Sequence, residues 1–149
     1  QVQAKCKYQD ENYWSHSINS PIYNAWSGFA FEMLCLNHVP QIKAALKIEG
    51  VQTSVYCWRT PAQAERGAQI DLLIDRADHC VNLCEMKFCR GKYTITKAER
   101  EKIENRMQSF IAYSKTKSSI RLTMITSFGV EKNVNSGIIQ NELTLEDLF

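Results

Sequence analysis

The stretch QIDLLIDRADHCVNLCEMKF, residues 69–88, places ionisable side chains inside two apolar runs. Asp71 interrupts the first run; Glu85 and Lys87 interrupt the second. A charge taken out of water without a partner is expensive, so each of these groups needs something to hold it. Side chains alternate across a strand, so Glu85 and Lys87 project to the same face. A hairpin closing around RADHC, in the register that pairs Asp75 with Val81, sets Asp71 opposite Glu85, with Cβ atoms about 4.5–5.5 Å apart. Two carboxylates at that spacing repel each other unless a cation sits between them. Mg²⁺ suits such a gap, taking oxygen ligands at about 2.0–2.1 Å and keeping several waters. Lys87 then stands beside the ion as a compact charge with rotatable donors. The chemistry such a set can do is hydrolysis of a phosphate ester. The ion polarises a phosphoryl oxygen and acidifies a coordinated water, while Lys87 orients that water and steadies the charge on the phosphorane oxygens. Glu32, the one acid in an apolar helical stretch, could hold a second cation or a metal-bound water.

The elements that must position these residues can be read along the chain. Residues 1–19 are polar and aromatic without clear periodicity and read as an arm. A helix is expected from Ser20-Pro21 onward, capped by Ser20 or Ser27. Trp26, Phe29, Ala30, Met33 and Leu34 recur at helical spacing, and Phe31, Cys35 and Leu36 cover much of the other side. A helix apolar nearly all round should be buried. After Pro40 a second helical piece, QIKAALKI, is expected. TSVYCW at 53–58 reads as the first strand, RTPAQAERG as a loop, 69–75 as the second strand and Val81–Phe88 as the third. TKAEREKIENRMQSFIAYSK reads as a long amphipathic helix with Ile103, Met107, Phe110 and Ile111 on one face. IRLTMITS at 120–127 gives a fourth strand, and a short strand is expected around Gly137-Ile138-Ile139 before the ending LTLEDLF. The order α-β-β-β-α-β implies an α/β domain over residues 20–149, built on a mixed central sheet flanked by helices.

Size and composition are compatible with one domain: 149 residues, 44% hydrophobic and 23% charged,. A net charge of +2 neither identifies nor excludes a nucleic-acid partner, because a local basic patch decides that,. No apolar run approaches the roughly 20 residues of a bilayer span, so no membrane partner is expected. The amino end carries neither a signal-peptide core nor an initiator Met and reads as a piece of a longer chain,. The six cysteines (Cys6, Cys35, Cys57, Cys80, Cys84, Cys89) sit mostly in apolar segments and read as free thiols in a reducing cytoplasm,.

Glu32 in GFAFEMLCL, Asp71 in AQIDLLIDR and Glu85-Met86-Lys87 in NLCEMKF together resemble the motif of the PD-(D/E)xK, restriction-endonuclease-like nuclease superfamily. WSGFAFE near the start and LTLEDLF at the end narrow this to a likeness with the nuclease-like domain at the carboxyl end of certain prokaryotic AAA-type ATPases. The resemblance covers roughly residues 20–149. It implies a three-layer restriction-endonuclease-like core, a Mg²⁺ (or Mn²⁺) cofactor, and nucleic acid as substrate, DNA before RNA. It further implies metal ligation by Asp71, Glu85 and the Met86 carbonyl, Lys87 as catalytic lysine, Glu32 as the acid of the first helix and Gln69 as support. Ile70 stands where the family name has proline. An ATPase would lie on a preceding part of the chain, since no G-x-x-x-x-G-K-[ST] loop is present. A homo-oligomer is compatible with the sequence.

Other readings compete. Asp71 and Glu85 could pair with Lys87 or Arg66 as a structural ion pair, or the fold could serve as a binding or docking module that no longer cuts. Cys80-x3-Cys84-x4-Cys89 beside His79 lacks the usual zinc spacing. His16 and His38 read as surface or capping residues. Lys92, Lys97, Arg100, Lys102 and Arg106 give the long helix and its approach a basic cast, but interleaved Glu99, Glu101 and Glu104 favour a solvated, salt-bridged face. Tyr56 and Trp58 read as core packing rather than base-stacking groups.

Overall fold

The computed structural model describes residues 20–149; the amino-terminal arm, with Cys6 and His16, lies outside them. Helix α1 (Pro21–Leu36) starts where Ser20 accepts a hydrogen bond from the Tyr23 amide at 3.1 Å, with Pro21 in the first turn, where its missing N–H costs nothing,. Helix α2 (Val39–Ala45) follows. His38, between them, hydrogen-bonds the Leu34 carbonyl through Nδ1 at 2.7 Å and so satisfies the end of α1,. Three strands come next: β1 (Thr53–Arg59), β2 (Gln69–Arg76) and β3 (Cys80–Lys87). The β2–β3 turn places His79 at φ 64°, the left-handed residue that closes a three-residue hairpin loop,. Helix α3 (Lys97–Ser114) is capped by Thr96, which accepts from the Glu99 amide at 3.1 Å. Strands β4 (Ser119–Thr126) and β5 (Asn141–Thr144) complete the fold, with short 3-10 turns at Ser136–Ile138 and Leu145–Leu148.

The five strands form one mixed sheet in the order β1-β2-β3-β4-β5. The first two junctions are antiparallel, and β3–β4 and β4–β5 are parallel. Parallel neighbours need a crossover, and α3 supplies the one between β3 and β4. Two apolar cores sandwich the sheet. On one side Phe31, Cys35 and Ile42 of α1 and α2 pack with Leu72, Ile74, Cys84, Met86 and Ile125. On the other, Ile103 and Phe110 of α3 pack with Leu73, Val81, Leu83, Leu122 and Met124. The result is a three-layer α/β arrangement in which β3, covered on both faces, is the most buried strand,.

Some sequence expectations need correction. Helix α1 is not buried all round: Ser27, Phe31 and Cys35, at i, i+4 and i+8, are its fully buried stripe, with Leu34 and Leu36 half-buried beside it, while Ile22, Trp26 and Phe29 are 83%, 62% and 62% exposed. One helix face meets the sheet, and α2 and the C-terminal turn share that side of it. Ser20 is the cap; Ser27 lies inside the helix. The strand expected around residues 137–139 is a 3-10 turn, because the Asn133 carboxamide accepts from the amides of Asn135 and Ser136 and curls the chain,. Pairing with β4 begins four residues later, at Asn141. Of the face expected on α3, Ile103 and Phe110 are buried and Met107 packs against them, but Ile111 is exposed. Trp58 meets Phe110 edge-on at 5.4 Å, as core packing requires, whereas Tyr56 on the edge strand is exposed. The five described cysteines carry free thiols.

Candidate functional site

The hairpin has the register read from the sequence: Asp75 faces Val81, and the ladder continues to Leu72 opposite Cys84. It stops there. Asp71 and Glu85 are the next step of the register but are not a ladder pair. Beyond that point β3 stays bonded to β4 through Lys87, facing Thr126, while β2 stays bonded to β1 through Gln69, facing Arg59. The central sheet therefore forks. A register shift accompanies the fork: Tyr56 faces Leu73 but Trp58 faces Ile70, so β2 carries one extra residue against β1 at Asp71-Leu72. Such a bulge bends its strand and re-aims the side chains in it.

A small cleft of about 90 Å³ occupies the fork, lined by Glu32, Gln69, Asp71, Glu85, Met86 and Lys87, with Arg106 across it. The residues named from the sequence thus meet around one opening. Glu32 comes from α1, on one face of the sheet, and Arg106 from α3, on the other; both reach the same cleft because the strands between them have parted. A larger depression of about 480 Å³ near the carboxyl end, between Phe128 and Phe149, has no comparable convergence of charge.

The three charges that the β2–β3 hairpin brings to the cleft each have a partner, and most are not the partners expected. Glu85, 8% exposed, accepts from Arg106 Nη1 at 2.9 Å on Oε1 and 3.0 Å on Oε2. Lys87 Nζ lies 4.0 Å from Glu99 Oε2, which in turn accepts from the Tyr93 hydroxyl at 3.4 Å. Asp71 Oδ1 accepts from Gln69 Nε2 at 2.8 Å, and Gln69 Oε1 accepts from Arg59 Nη2 at 3.0 Å, so the edge strand steadies Asp71 through Gln69. Residues 99 and 106 of α3 are seven apart, about 10.5 Å along the axis, and face the two β3 charges about 6.7 Å apart. The helix presents an acid for the lysine and a guanidinium for the acid.

Glu32 has its carboxyl held above the usual range, first by burial and then by the Asp71 and Glu85 carboxylates, with Lys87 opposing the rise. It also contributes to the Cys35 thiol, which burial pushes up to about 12. Burial and the acid Glu99 together push the Tyr93 hydroxyl up to about 12. The cleft is therefore rich in acids that already disturb one another. Among the described residues, no three His, Cys, Asp or Glu side chains are gathered closely enough to hold an ion as they stand.

Arg106 is the site residue the sequence reading missed, having been placed on a solvated face. The signal was present: Ile103, Arg106 and Phe110 fall at i, i+3 and i+7, so Arg106 lies in the inward stripe of α3. It interrupts an apolar stripe just as Glu32 interrupts one on α1.

No family model matches the chain, and no curated protein does. Among solved structures, the crystal structure of AF1548, a protein of unknown function, is similar to it, with 14% sequence identity and a TM-score of 0.46. That match covers 77% of this chain and 64% of AF1548. Among the described residues, no helix is long and apolar enough to cross a membrane.

Proposed function

We propose that this chain is a metal-dependent phosphodiesterase domain acting on nucleic acid, DNA in the first instance, and that it works as the carboxyl-terminal part of an AAA-type ATPase in the cytoplasm. The single observation that carries the reading is the convergence of Glu32, from α1, with Asp71, Glu85 and Lys87, from the two arms of the β2–β3 hairpin, on one cleft at the sheet fork. The motif resemblance to PD-(D/E)xK nucleases supplies the reaction class.

The donor chemistry fits an oxygen-preferring cation. Carboxylates and a main-chain carbonyl are the ligands that Mg²⁺ and Mn²⁺ take, and three carboxylates, Glu32, Asp71 and Glu85, line the one cleft. Asp71, Glu85 and the Met86 carbonyl would hold the ion, with Glu32 serving a second ion or a bound water. When bound, the ion supplies Lewis acidity toward the phosphate and acidifies a water. Lys87, on the same strand face as Glu85, orients the attacking water and stabilises negative charge on the phosphoryl oxygens. Gln69 fixes the orientation of Asp71. Arg106 presents a planar fork suited to phosphate as well as carboxylate.

A second reading, a nuclease-like module that binds or docks without cutting, is favoured by one observation: both oxygens of Glu85 are engaged by Arg106. Plasmid nicking with Mg²⁺ or Mn²⁺ separates the two. Metal-dependent nicking that disappears in Glu85→Ala and Lys87→Ala supports hydrolysis. Nicking unchanged in both variants, or absent from the parent chain, defeats it.

A further inference from the structure

The acidic cleft opens sideways into a second, wider groove of about 320 Å³, and Gln69 and Arg106 belong to both. One wall is the end of the loop entering β2, from Arg66 to Gln69; the other is α3, through Lys102, Asn105, Arg106 and Ser109. Those four positions follow i, i+3, i+4, i+7 and so share one helix face. Among the described residues that line it, three side chains are cations and none is an acid, in a chain whose net charge is only +2. The acids of α3 that suggested a self-neutralised face lie elsewhere: Glu104 pairs with Arg100 at 3.7 Å, and Glu99 turns to Lys87.

We propose that this groove binds the phosphodiester backbone of a nucleic-acid strand, with Arg66 and Lys102 holding phosphates that flank the one delivered to the cleft by Arg106. The inference rests on the hydrolase reading for its substrate class. The lining chemistry supports it independently. The cations stand on both walls of an open groove, Arg66 on the loop and Lys102 and Arg106 about 6 Å apart along the α3 axis, which suits a polyanion better than a small anion,. Amide and hydroxyl donors on Gln69, Asn105 and Ser109 match phosphate oxygens. Among the described residues no aromatic side chain lines the groove, so the described lining contacts the backbone rather than stacking on bases, without regard to sequence,.

The test is fluorescence anisotropy with a labelled oligonucleotide, single-stranded and as duplex, in EDTA at salt between about 50 and 200 mM. The parent chain is compared with Arg66→Gln, Lys102→Gln, their double variant, and Lys97→Gln, which removes an equal charge outside the groove. All are surface positions, and unchanged melting temperatures verify the fold. Each groove variant is expected to weaken binding about five-fold on unrelated sequences and to reduce the salt slope by about one. Lys97→Gln is expected to change neither. No binding by the parent chain, a double variant that binds like it, or an equal loss from Lys97→Gln overturns the proposal. So does a poly-glutamate peptide that binds as tightly and depends on the same two residues. Because EDTA removes metal from the assay, the two readings fail separately. Groove-dependent binding without metal-dependent nicking sinks hydrolysis alone; nicking by a parent chain whose binding ignores Arg66 and Lys102 sinks this inference alone.

Discussion

At Glu85 the side chain is 10% exposed and both oxygens rest on one guanidinium nitrogen, that of Arg106, whose own side chain is 30% exposed. Breaking a fully buried pair by removing one partner costs about 3–5 kcal/mol, and the exposure of Arg106 lowers the expectation for Arg106→Met to about 2 kcal/mol. The cost comes mostly from the orphaned carboxylate, so adding Glu85→Gln should recover a large part of it in urea denaturation. Arg106→Met alone should tighten Mn²⁺ binding in calorimetry, because Glu85 no longer has to leave a guanidinium to take an ion. A fold that weakens while metal affinity rises is a pairing of signs that a purely structural ion pair does not produce. Glu32 behaves differently. Its carboxyl is raised above the ordinary 4.5, so the folded chain holds that proton more tightly than the unfolded chain does,. Stability attached to Glu32 is therefore present below about pH 4.5 and is lost as pH rises through the raised folded value. Glu32→Gln should stabilise the fold at neutral pH, by well under about 1 kcal/mol after solvent screening and read as a small rise in melting temperature, and the gain should vanish toward pH 4. A gain that grows on acidification would contradict this.

The elements show how such charges come to be inside an apolar domain. Helix α3 offers the sheet a stripe of Glu99, Ile103, Arg106 and Phe110: two apolar residues buried in the core and two charges matched to Lys87 and Glu85. The apolar pair sets where the charged pair can reach. Ile103→Ala, at a fully buried position, is expected to cost about 2–5 kcal/mol in urea denaturation,. The hairpin register was legible because RADHC is a short polar turn between two apolar runs of strand length. The fork was not, because it depends on whether β2 follows β1 or β3 past Leu72, a choice made by neighbouring strands and by the extra residue at Asp71-Leu72. Helix α1 failed for a related reason: its composition is apolar on most sides, and only the packing decides that the Phe31 stripe goes in while Trp26 and Phe29 stay out. The acids and the lysine of the cleft could be named from their interruption of apolar runs; their partners on α3 required the fold.

For the whole molecule, the decisive contrast lies between a domain that takes up a cation at its fork and one in which Arg106 has permanently replaced it. Both fold alike, so stability alone does not separate them; stability as a function of metal does. A ligand that binds only the folded chain stabilises it by about 2.7 kcal/mol at a hundred times its Kd, roughly 5–10 °C for a domain of this length. Saturating Mn²⁺ is therefore expected to raise the melting temperature of the parent chain by that order. Asp71→Asn should abolish the rise, while in the absence of metal the same variant should melt at or slightly above the parent, since it relieves repulsion on Glu32. Lys87→Ala should keep the rise, because Lys87 ligates nothing and its 4.0 Å pair with Glu99, about a third exposed, is worth under about 1 kcal/mol,. It should lose nicking by about a hundred-fold or more, the usual scale for removing one charge-stabilising group from a reacting phosphate. A flat melting curve across Mn²⁺ concentrations in the parent chain would leave the fork as a salt-bridged seam between α3 and the sheet, and the docking reading in possession of the site.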